Sequence, residues 1–205
     1  LSIACALLIL MPQLRYHALN GHLFDLGVLD GMVANAASDP TRMLLGHVHP
    51  VGWLYAAISA LLGDATTPFL LLSQSGLIVA CIILIARHAH PLAALLFALH
   101  PASWWFAING FHFDAVAVLC IVLFFVQLER GRFARAALFA VLVVLAKETF
   151  SLFTLGAGLL LLVCAFQQRR KEAAIAGAVC LLLGAAWFLF TTKYLLPLSY
   201  VPGLT

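Results

Sequence analysis

The chain has 205 residues; 64% are hydrophobic, and Lys, Arg, Asp and Glu together make up only 9%, against about 25% charged residues in an ordinary soluble domain. That composition excludes a soluble globular domain, and it excludes a disordered chain, which would be polar and charged. The formal net charge of +3 is too small to mark a nucleic-acid binder, so no nucleic-acid partner is expected.

The hydrocarbon core of a bilayer takes about 20 apolar residues per helix. In chain order, apolar runs predict membrane spans at 1–14, 67–86, 91–107, 113–128, 133–147, 150–166 and 173–195. The expected fold is therefore all-α, a polytopic membrane bundle of about seven transmembrane helices forming a single transmembrane domain over 1–205. The first run is already apolar at Leu1, and the last residues follow a Pro-containing aromatic loop, which reads as a piece of a longer chain. Arg15 follows the first run instead of preceding it, unlike the basic start of a signal peptide.

Residues 15–67 form a long outer loop in this reading. Within it, LFDLGVLDGMVANAA (23–37) has the pattern of a helix lying on the membrane surface. GHVHP (46–50) and a shorter apolar stretch, 50–62, complete the loop. If 50–62 does not span, one side of the membrane holds Arg87, Arg130, Arg132, Arg135, Arg169, Arg170 and Lys171 and the other Arg15, Arg42, Lys147 and Lys193. The positive-inside rule puts the first group in the cytoplasm. An eight-span count would divide the charges nine to two, and charge alone favours it slightly. The shortness of 50–62 favours seven. So does the gathering of Asp25, Asp30, Asp39, Asp64, Asp114, Glu148, His17, His22, His47, His49 and His112 on one outer face.

Those polar residues supply the candidates for chemistry. Asp25 lies between Phe24 and Leu26, placed near the lipid headgroups or capping a helix. His47 and His49, with a carboxylate upstream, use the vocabulary of metal ligation. In a loop that spacing is unspecific, and an ordinary hydrogen-bonded pair is the expectation, so no metal is assigned. His112 and Asp114 sit in the turn between the third and fourth spans. Lys147-Glu148 lies between two apolar segments with almost no loop, where ionisable residues are costly and tend to be functional. A neutralised structural pair is one reading; the other has Lys147 holding a phosphate and Glu148 orienting a residue of the first loop. His100, ahead of Pro101 in the third span, is expected as a satisfied core residue. Five cysteines, Cys5, Cys81, Cys120, Cys164 and Cys180, all lie in apolar runs without a CxxC spacing and read as small buried hydrophobes.

Phe24-Asp25-Leu26-Gly27, His47 with Pro50, Phe111-His112, Lys147-Glu148 and Tyr194-Leu195-Leu196-Pro197 occur in an order that resembles the domain-of-unknown-function 2079 family of prokaryotic membrane proteins. The chain differs from that pattern at Asp30-Gly31, where a Gln is usual, and at Phe113-Asp114, where Pro-Glu is usual. The family is similar in layout to the C-type glycosyltransferases, with a first helix, a long outer loop bearing surface helices and a seven-helix module. The resemblance implies that 49–68 ends the loop and leads into the second span, and that Asp25 occupies the place of an active-site acid.

The implied activity is sugar transfer from a polyprenyl-phosphate donor to an acceptor hydroxyl on the outer face of a prokaryotic inner membrane. Asp25 would be the catalytic base. Substrate would be held by His47, His49, His112, Asp114, Lys147 and Glu148, with Lys147 or a histidine stabilising the leaving phosphate. No cofactor is implied. The alternative is a non-catalytic subunit of a larger membrane complex that contacts lipid or pigment, with His100 or His112 as a ligand. A small transporter is a weaker reading, because neither an inverted repeat nor paired broken helices is visible.

Overall fold

Backbone groups in a bilayer cannot turn to water, so apolar runs of this length satisfy their own hydrogen bonds by coiling. A computed structural model describes residues 1–18, 23–36, 38–44 and 47–199, with the side chains of 23–25 and 198–199 outside that description. All regular structure among the described residues is helical. In order come α1 (Ser2–His17), α2 (Leu23–Asn35), α3 (Pro50–Leu62), α4 (Thr66–His88), α5 (Pro91–Leu99), α6 (Pro101–Ile108), α7 (Asp114–Glu129), α8 (Phe133–Leu142), α9 (Ser151–Gln168), α10 (Lys171–Phe190) and α11 (Leu196–Ser199). Single 3-10 turns link several of them, and a π-helical turn at Thr191–Leu195 continues α10.

Three helical runs are long and apolar enough to cross a membrane: Pro50–His88, Glu148–Gln168 and Lys171–Leu195. A fourth is added if the bent pair α5 and α6 counts as one span. These runs mark a membrane protein. The stretch 50–62 continues through a 3-10 turn into α4, with Gly63 at φ +55 making the joint. The combined run of 39 residues extends over roughly 58 Å at the helical rise, longer than one crossing of a core about 30 Å thick requires.

The third predicted span, 91–107, is broken. Pro101 has no N–H, and it pushes His100 into extended backbone at φ −64 and ψ 135. The chain bends by 49° there. The carbonyl of Phe97, deprived of a bond from residue 101, accepts instead from the Ser103 hydroxyl at 2.6 Å and from the His100 N–H at 3.3 Å. His100 is therefore exposed and not in the core. Its Nδ1 caps α6 by accepting from the Ala102 N–H at 3.1 Å.

The chain forms two compact units, Leu1–Met43 with Val51–Leu119, and Leu44–Pro50 with Cys120–Thr205. In the first, α1, α4, α5 and α6 bury Leu8, Ile78, Ile82, Ala94 and Ala98. In the second, α8, α9 and α10 bury Phe124, Phe133, Ala140, Leu161 and Cys180. Glycine sets the closeness of α9 and α10. A Cβ on Gly158 would lie 2.9 Å from the Gly177 carbonyl oxygen, and one on Gly177 would lie 2.8 Å from that of Gly158. Small residues that let backbones meet are the usual means of packing helices in lipid. All five cysteines are free thiols, and Cys81, Cys120 and Cys180 are buried.

Candidate functional site

Lys147 and Glu148 fall where the 3-10 end of α8 has run out and α9 has not begun. Lys147 has extended backbone, φ −165 and ψ 145, and Glu148 opens the 3-10 turn that leads into α9. The extended step turns Glu148 inward, and only 2% of it is exposed. A carboxylate so buried needs donors. They come from the segment 47–49, in the same unit. His47 Nδ1 lies 2.8 Å from Oε1, and the Val48 N–H donates to Oε2 at 2.8 Å. Each oxygen of Glu148 thus has a partner, and neither is Lys147. Lys147 is half-buried beside the carboxylate in sequence.

A carboxylate oxygen accepts, so His47 Nδ1 carries a proton and the ring presents Nε2 as its second nitrogen. The His47 side chain is 45% exposed, so the oriented ring reaches outward from a buried anchor. His49, 8% exposed, donates from Nδ1 to the Ala146 carbonyl oxygen at 2.7 Å. The two imidazoles meet edge to face, with centroids 5.9 Å apart. His47, His49, Lys147 and Glu148 therefore form one constellation. It can orient an imidazole for proton transfer or for binding an anion. No group of three or more His, Cys, Asp or Glu side chains among the described residues is placed to hold a metal ion.

The other unit holds the remaining candidates. His112 follows Gly110, which has φ +90 and packs against Leu26; a Cβ there would be 3.1 Å from that of Leu26. Gln74, fully buried on α4, secures this turn. Its Nε2 donates to the carbonyls of Phe106 at 2.6 Å and Gly110 at 2.7 Å, and its Oε1 accepts from the His112 N–H. The His112 ring stands edge-on to Phe106, and its Nε2 is buried with no hydrogen-bond partner among the described residues. Asp114 is half-buried in the first turn of α7, where a carboxylate complements the helix dipole. Asp30 on α2 accepts from the Thr67 hydroxyl at 2.7 Å. Asp25 also lies on α2, with its side chain outside the described residues.

Gln74 and the Val48 N–H make site contacts and are absent from the residues singled out by the sequence. A Gln inside the apolar run 67–86 was the available signal for the first, since polar side chains in a span need an internal partner. No sequence signal marks the second. The cap on His100 also fixes its chemistry. Nδ1 spends its lone pair on Ala102, so the proton sits on Nε2 and that nitrogen has no lone pair to offer a pigment metal while the cap holds.

Comparisons with family models, with curated proteins and with solved structures found no match to this chain.

Proposed function

We propose that the chain is a membrane glycosyltransferase of the C-type layout, related to the domain-of-unknown-function 2079 proteins, that takes sugar from a polyprenyl-phosphate donor. The observation that carries this reading is the buried Glu148 carboxylate gripping His47 and the Val48 N–H. Two short motifs of the family pattern, about a hundred residues apart, thus meet in one polar constellation within an otherwise apolar protein.

In the proposed reaction the acceptor hydroxyl oxygen bonds the anomeric carbon as the bond from that carbon to the phosphate oxygen breaks. The hydroxyl proton goes to a carboxylate base, Asp25, assigned from the sequence motif. The bond's electron pair leaves with the polyprenyl phosphate. Charge developing there is met by the Lys147 ammonium and by His47, held in orientation by Glu148. The apolar helices suit the donor's tail and the polar residues its head. The reading includes a seven-span topology with the first loop on the outer face of a prokaryotic inner membrane.

The test is transfer of labelled sugar from polyprenyl-phosphate donors by the purified chain in lipid. Asp25→Asn should abolish transfer, and His47→Gln should slow it by about 100-fold or more, the usual scale of proton-transfer and charge-stabilising groups. Purification with a fixed set of membrane proteins, no bound polyprenyl phosphate and no transfer from any such donor would sink the reading and leave a non-catalytic complex subunit.

A further inference from the structure

An open groove of about 380 Å³ runs between α8 and α10. Its floor is made of the small buried residues Ala137 and Ala176, and its walls of Leu138, Ile175, Val179 and Leu183. The walls are exposed: Ile175 at 67%, Leu138 at 54% and Leu183 at 48%. One end is different. There Ala134 and Glu172 are shared with a second depression lined by Gly131, Arg132 and Arg135. Gly131, at φ +65, lets the chain reverse tightly between α7 and α8. That turn puts the two arginines at the mouth of an apolar channel, and both are exposed.

Length and charge together define an occupant. From Glu172 to Leu183 the groove follows twelve residues of α10, roughly 16 Å from first to last at the helical rise. That is about half of a hydrocarbon core some 30 Å thick, the depth of one leaflet. A molecule that fits has an apolar tail of leaflet length and an anionic head at the tail's outer end. The mouth carries two guanidiniums and one carboxylate, so the complement is a head with a single negative charge and hydroxyls that donate to Glu172.

We propose that the groove between α8 and α10 is a binding site for an anionic phospholipid of the phosphatidylglycerol type, its acyl chain along Ala137 and Ala176 and its phosphate between Arg132 and Arg135. Guanidinium is the group best shaped for a phosphate, and basic pockets between membrane helices are a recurring lipid site. The site does not depend on the transferase reading, because none of its residues belongs to the constellation around Glu148.

The experiment is native mass spectrometry of the full chain released from mixed micelles, with phosphatidylglycerol, phosphatidylethanolamine and phosphatidylcholine competing at equal concentration. Two arginines near a membrane surface favour an anionic lipid by roughly thirtyfold, and phosphatidylglycerol should be retained over the others on about that scale. The double variant Arg132→Gln/Arg135→Gln should erase the preference, whereas Arg169→Gln, outside the groove, should keep it. Ala134→Trp, at an exposed position in the mouth, should lower retention with the thermal midpoint unchanged. Equal retention of the three lipids, a preference surviving the double variant, or displacement by equimolar glycerol phosphate lacking a tail would each overturn the proposal.

Discussion

Glu148 and His47, 101 residues apart in the chain, are joined by a 2.8 Å contact between a carboxylate that is 3% exposed and an imidazole that is 45% exposed. The buried partner is the fixed one and the exposed partner is the one that can act. Glu148 is therefore a positioning residue in this arrangement, and its removal should disturb the segment 47–49 before it disturbs anything else.

Replacing Glu148 with Ala leaves the Val48 N–H and the His47 Nδ1–H without an acceptor. The expected loss is roughly 3 kcal/mol, the scale of bonds to a charged group lost from a buried site. Glu148→Gln keeps one acceptor oxygen and turns a donor on the other contact, so it should fall between. Thermal unfolding in a lipid environment should rank wild type, Gln and Ala in that order. An unchanged midpoint for Glu148→Ala would show that the carboxylate does not hold 47–49.

Gln74 makes three hydrogen bonds from a fully buried position. Gln74→Leu is nearly isosteric but strands two carbonyls and an N–H, for a cost of about 3 kcal/mol or more. The freed turn at 109–112 should become accessible to a cysteine probe placed at Asn109, with labelling much faster than in the parent. Equal labelling rates would mean that the turn does not need the Gln.

The carbonyl oxygens of Gly177 and Gly158 lie 2.9 and 2.8 Å from where a Cβ on the other glycine would stand. Gly158→Leu and Gly177→Leu should each destabilise α9 against α10 by about 1–3 kcal/mol, the usual penalty for overpacking. Because both changes relieve the same contact once the helices have parted, the double variant should cost less than the sum. Additive midpoints from thermal unfolding would count against a shared contact.

Asp39 supplies the pH dependence. The Thr41 hydroxyl, together with the Thr41 N–H and the neighbouring Arg42, holds its carboxyl below the ordinary carboxylate value. A depressed folded pKa means that the turn Pro40–Leu44 is supported above the unfolded pKa, near 3.9, and loses that support as pH falls through the folded value. The Thr41 amide resonance should move with a midpoint below that of a free aspartate and stay still in Asp39→Asn. A midpoint at or above the free value would contradict the arrangement.

Much of the helical layout was legible because span length and composition carry it. The run predicted at 150–166 forms Glu148–Gln168, and that at 113–128 forms Asp114–Glu129. The break at His100-Pro101 was less so: in an apolar window one proline does not lower hydropathy, although its missing N–H decides the backbone. Lys147-Glu148 stands out in the sequence because charges between apolar runs are conspicuous. What Glu148 binds could not be read, since no period or spacing ties residue 148 to 47 and 48. The Val48 contact uses a backbone N–H, which every residue but proline offers.

The bend at Pro101 bears on how the chain enters a membrane. The halves α5 and α6, nine and eight residues long, reach only about 14 and 12 Å and are too short to cross alone. Neither can act as an independent signal for insertion. They enter as one bent piece, and α1 and α4, both made earlier in synthesis, are the helices packed against them. Order of assembly is thus written into this segment: a change that delays α1 or α4 should strand α5 and α6 outside the bilayer even though their own sequence is untouched.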